Sequence, residues 1–129
     1  MQSNQLSVMQ NIFTAESDLE FAVLIGSRAS GAETANSDWD IALQWRKDMD
    51  WLELLGRTET LRRNLAKVLA CPETAIDLID TPRANLAMRA AIAEEGVVLK
   101  GGDDLPWQRF LRRTWRDLED HYWETLYAH

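Results

Sequence analysis

The chain has 129 residues, 46% of them hydrophobic and 27% charged, which suits one domain spanning 1–129 with enough apolar side chains for a core. A formal net charge of −7 argues against broad binding to nucleic acid or an acidic membrane, because both need a basic face. One cysteine, Cys71, offers no disulfide framework, and no apolar run approaches the ~20 residues of a membrane span, so the expectation is a cytoplasmic protein without a membrane partner.

In chain order, Leu6, Met9, Ile12 and Phe13 recur at helical spacing and predict a first helix over 5–16. The apolar, β-prone run Phe21-Ala-Val-Leu-Ile25 predicts a strand over about 20–25 that stops at Gly26. A single helical turn is expected near Ser30–Glu33, and a second strand over about 38–45. The next helix, over about 51–70, carries Trp51, Leu54, Leu55, Thr58, Leu61, Leu65, Val68 and Leu69 on one stripe, with Pro72 beyond its end. Ala75–Ile79 reads as a third strand. Thr81-Pro82 reads as the start of a helix running to about 95, ended by Gly96. Val97-Val98-Leu99 is a short fourth strand. A last helix covers about 105–127, with Trp107, Leu111, Trp115, Leu118 and Tyr122 at helical spacing. The fold class is therefore α/β (α+β): a small mixed sheet of about four strands flanked by helices, with a C-terminal helix.

The chemistry concentrates in Gly26 to Asp40, GSRASGAETANSDWD. Residues two apart on a strand share a face, so Asp38 and Asp40 point one way while Trp39 and Ile41 point the other. Two carboxylates beside the apolar run Ile41-Ala42-Leu43 repel each other and lose hydration. At ~4 Å and an effective dielectric of about 20, like charges cost on the order of 4 kcal/mol. Protonation or a bound cation relieves this, and a hard cation such as Mg2+ takes carboxylate oxygens while leaving positions for phosphate. Gly26 permits close approach of a ligand to the backbone. Ser27 offers a hydroxyl and an N–H to a phosphate oxygen, and Arg28 a charged fork of donors. Ser37 stands next to Asp38, where its hydroxyl can reach either a ligand or its own turn. Asp77 sits between Ile76 and Leu78 and faces away from both, so pairing of its strand beside the second strand would bring it to Asp38 and Asp40; Asp80, at the strand exit before Thr81-Pro82, is the runner-up.

Gly26-Ser27, ten residues, then Asp38-Trp39-Asp40 resembles the GS-x10-D-x-D signature of the DNA polymerase beta-like nucleotidyltransferase superfamily. The short chain and the wording GSRASG…SDWDIAL are similar to the minimal nucleotidyltransferase (MNT) antitoxins encoded beside HEPN-domain toxins; the likeness covers roughly Leu19 to Lys100. The resemblance implies a nucleotidyltransferase fold with Asp38, Asp40 and Asp77 as catalytic and metal-binding carboxylates. It also implies ATP held at Gly26, Ser27, Arg28 and Ser37, and two Mg2+ ions about 3.5–4 Å apart, the spacing of two-metal sites. The implied function is transfer of AMP to a hydroxyl, a tyrosine's, on a HEPN ribonuclease toxin. Two alternatives stand beside it: neutralisation by docking alone, and transfer to a small molecule. For the last helix, with Arg109, Arg112, Arg113 and Arg116 ahead of Asp117, Glu119, Asp120 and Glu124, the readings are a solvated charged face or arginines that approach nucleotide phosphates or an acidic partner, and any exposed part of its Trp stripe is the candidate for partner docking.

Overall fold

The sheet is built on β1 (Leu19–Ile25) and β2 (Trp39–Trp45), whose burial is nearly continuous because helices cover both faces. In this computed structural model, which describes residues 3–128, the strand order is β3-β2-β1-β4, where β3 is Ile76–Asp80 and β4 is Val97–Lys100. β1 runs antiparallel to β2 and β4, whereas β2 and β3 are parallel. The parallel pair needs a crossover, and α3 (Trp51–Leu69) supplies it.

Alternation along the strands divides the core in two. Leu24, Trp39, Ile41, Leu43 and Ile76 pack with Met9 and Phe13 of α1 (Ser3–Thr14) and with Leu61, Leu65 and Leu69 of α3. Phe21, Val23, Ile25 and Ala42 face the opposite way, onto Ile92 of α4 (Leu86–Glu95) and onto Trp107 and Phe110 of α5 (Leu105–Tyr127). Phe21 meets the Trp107 ring edge-on, centroids 5.1 Å apart, a geometry that adds about 0.5–1.5 kcal/mol to the area buried.

Several expectations shift in detail. Of the α3 stripe only Leu61, Leu65 and Leu69 are buried: Trp51, Leu55 and Val68 are exposed, while Ala66, off the expected stripe, is buried. The first half is tied by charge to the turn before β1, where Arg57 bridges Asp18 at 2.6 Å, and Arg57 also pairs with Glu53 within the helix at 3.0 Å. The helix expected from Pro82 is two pieces. A single 3-10 turn spans Thr81–Arg83, and α4 then starts afresh from Asn85, whose side chain accepts the Met88 N–H at 2.8 Å. Gly96 does close α4, but in extended backbone (φ −71°, ψ 147°) rather than the left-handed turn typical of a helix-ending glycine. What requires glycine there is space: a Cβ would lie 2.3 Å from Val23 Cγ1 and 2.5 Å from the Ile92 carbonyl oxygen. Along α5, Trp107 is buried while Trp115, Tyr122 and Trp123 are exposed, so the Trp stripe is core only at its start. No described helix is long and apolar enough to cross a membrane.

Candidate active site

β2 and β3 bring two acids together. In their parallel register Asp40 stands opposite Asp77, and both residues belong to the sheet face that α4 covers. Period-two alternation explains this. Trp39 and Ile41 are drawn into the α1–α3 core, which sends Asp40 the other way, and Ile76 and Leu78 do the same for Asp77. Asp38 precedes the first residue of β2 and is exposed, so it belongs to the loop rather than the strand. Burial, then the charge of Asp77 and then that of Asp38, raise the Asp40 carboxyl above its ordinary value. Asp77 and Asp38 thus both act on Asp40, although Asp38 lines a different hollow from the other two. Among the described residues, however, no three acidic, histidine or cysteine side chains are gathered closely enough to form a metal cage.

Gly26 closes the site from β1. It has φ +75° and ψ −158°, a conformation open essentially to glycine alone, and a Cβ would fall 2.6 Å from Asp40 Oδ2. The strand therefore ends in a turn whose backbone lies against the carboxylate. The helical turn expected at 30–33 occurs earlier, as α2 (Ser27–Ser30), with Gly31 in the left-handed conformation after it. Gly26, Asp40 and Asp77 line a cavity of about 380 Å³ with Ile25, Ile79, Met88, Ala91 and Glu95. Sequence reading missed the α4 contribution, Met88, Ala91 and Glu95. The signal available was only that α4 directly follows the strand bearing Asp77.

The remaining expected nucleotide contacts divide. Ser27 is half-buried at the start of α2. Ser37 spends its hydroxyl on the turn: Oγ accepts the Thr34 N–H at 2.8 Å. Arg28 donates from Nε and Nη2 to the Ser37 carbonyl oxygen, at 3.2 and 2.9 Å, and its guanidinium carbon lies 4.1 Å from the centroid of the Trp39 ring.

The donor set fits a hard divalent cation in its chemistry. Asp40 and Asp77 offer carboxylate oxygens from neighbouring strands, and burial, with the charges of Asp77 and Asp38, raises the Asp40 carboxyl. The arrangement can hold positive charge beside a ligand that approaches the backbone at Gly26.

A family model described as Polymerase beta, Nucleotidyltransferase matches residues 8–105. Among solved structures, a chain of a toxin–antitoxin crystal structure with AMP-PNP is similar at 25% identity and a TM-score of 0.68, over 96% of this chain and 92% of that one. A chain of the tri-AMPylated Shewanella oneidensis HEPN toxin in complex with MNT antitoxin matches at 22% identity and a TM-score of 0.68, with the same coverage. A chain of the toxin–antitoxin MntA-HepT matches at 22% identity and a TM-score of 0.67, over 95% and 92%. No curated protein matches in sequence.

Proposed function

The chain belongs to the polymerase beta nucleotidyltransferase family, and on that premise we propose that it is an antitoxin that transfers AMP from ATP to a hydroxyl, a tyrosine's, of a cognate HEPN toxin. The observation that carries this reading is the Asp40–Asp77 register beside the glycine-only turn at Gly26. The resemblance to a toxin–antitoxin structure with AMP-PNP supports ATP as the nucleotide, and the likeness in fold to a chain of the complex between MNT antitoxin and a tri-AMPylated HEPN toxin supports the acceptor class.

In this reading the Gly26 backbone and the Ser27 hydroxyl orient the triphosphate, and Asp38, Asp40 and Asp77 would hold Mg2+. Bound there, Mg2+ supplies neutralisation of phosphate charge and a lower pKa for the attacking hydroxyl. The acceptor oxygen bonds to the α-phosphorus of ATP. The bond from that phosphorus to the oxygen bridging to the β-phosphate breaks, and pyrophosphate leaves with the electron pair. The hydroxyl proton passes to a carboxylate; Asp77, exposed and lining the cavity, is open to an incoming acceptor. Asp40, half-buried, keeps its place beside Gly26, so catalysis is positioning and charge stabilisation. The exposed aromatic face of α5, with Trp115, Tyr122 and Trp123, is the surface offered to the toxin.

The test is to mix the chain with its toxin, Mg2+ and labelled ATP and weigh the toxin. Wild type adds AMP mass, and Asp38→Asn adds none while its thermal unfolding stays close to wild type. Equal transfer by both proteins would refute the assignment. Neutralisation with no change in toxin mass would leave docking alone.

A further inference from the structure

We propose that Arg28 is a positioning residue, not a phosphate ligand: it holds the backbone before Asp38 and the side chain after it, and so sets where that carboxylate enters the site. This inference rests on the functional reading above. Two independent contacts carry it. The guanidinium donates twice to one acceptor, the carbonyl oxygen of Ser37, immediately before Asp38. Its face also covers the ring of Trp39, immediately after Asp38, at 4.1 Å, and that ring is only 2% exposed and fixed in the core. Asp38 thus lies between two residues held by one side chain.

The segment held in this way is made of turns, and Arg28 also acts by charge on Glu33 within it. Between Gly31 and Asp38 the chain has turns but no helix or strand, and Thr34, Ala35 and Asn36 are exposed. Its internal ties are short-range: Ser37 N–H donates to the Thr34 carbonyl at 3.1 Å, and the Thr34 N–H to Ser37 Oγ. Those bonds shape the turn but do not attach it to the sheet. Arg28 does so, from α2, across nine residues of sequence.

The guanidinium stands on the Asp38 side of the site. The cavity bounded by Gly26, Asp40 and Asp77 has no Arg28 in its lining. Arg28 instead lines a separate hollow of about 370 Å³ with Asn36, Ser37, Asp38, Cys71 and Thr74. Lysine cannot replace it, because a point charge lacks the planar fork that bonds and stacks at once.

Hydrogen exchange on the full chain, comparing wild type with Arg28→Ala and Arg28→Lys, tests the clamp without turnover. In both variants the amides of residues 34–38 exchange about tenfold faster, while those of β1 and the middle of β2 keep their protection. In the AMP-transfer assay both variants lose about tenfold in kcat, with KM for ATP within about twofold of wild type. Unchanged exchange at 34–38 would overturn the proposal, as would a raised KM for ATP that Arg28→Lys restores, since a phosphate ligand behaves that way. Arg28→Lys keeps the charge and serves if the alanine variant does not fold. If the wild-type chain transfers no AMP, the functional reading fails, and exchange alone still decides for or against the clamp.

Discussion

Gly26→Ala perturbs one atom at the point where the fold and the site meet. With φ +75° and ψ −158°, residue 26 occupies a region that an L side chain enters only at a cost of about 1–3 kcal/mol. At this chain length 1 kcal/mol corresponds to roughly 4 °C in Tm, so the backbone term alone lowers Tm by about 4–12 °C. The added Cβ also falls 2.6 Å from Asp40 Oδ2, so either the strand end or the carboxylate must move. Relief by rotation of Asp40 saves stability and sacrifices the site. AMP transfer, measured at a temperature where the variant is fully folded, therefore drops by about a hundredfold, more than the stability loss explains. The control is Gly56→Ala, in the interior of α3, where an added Cβ meets nothing within 4 Å. That substitution raises stability by about 0.5–1 kcal/mol. Calorimetry and the transfer assay on both variants form the experiment. A Gly26→Ala protein with wild-type Tm and wild-type kcat would refute the reasoning, because neither the strained backbone nor the contact with Asp40 would then be real.

Three further outcomes follow from the same geometry. Burial, Asp77 and Asp38 raise the Asp40 carboxyl, so the folded metal-free protein holds that proton to higher pH than the unfolded chain and loses stability as pH rises from about 3.8 through the raised value. Asp40→Asn removes this penalty: by calorimetry without metal it is at least as stable as wild type near neutral pH, the gap narrows below about pH 4, and transfer is lost; a variant clearly less stable at neutral pH contradicts the sign. Addition of Mg2+ raises the Tm of wild type more than that of Asp40→Asn, and equal shifts would place the cation elsewhere. Asn85→Ala removes the bond to the Met88 N–H and costs about 1 kcal/mol, whereas Asn85→Asp keeps the cap; an unchanged Tm for the alanine variant would show the cap to be idle.

The pattern of residues determined most of the architecture. Apolar runs bounded by glycine, proline and acids are local signals, so the four strands and α5 fall within a residue or two of expectation. The same period-two rule that buries Trp39 and Ile41 turns Asp40 to the opposite face, so the side on which Asp40 lies was legible before any strand was paired. Helix burial was less so. Trp51 and Leu55 share a stripe with Leu61 and Leu65, yet only contact with the sheet distinguishes the covered half from the bare one.

What the sequence by itself settled is local: strands, a glycine-serine bend and acids at two-residue spacing, because propensity and alternation act between neighbours along the chain. Only the tertiary structure decided which strand lies beside β2, that Asp77 stands opposite Asp40, that α4 walls the cavity, and that Arg28 turns toward Ser37 and Trp39. Those facts join residues nine to more than fifty positions apart, and they depend on how helices cover a sheet, which no short stretch of sequence encodes.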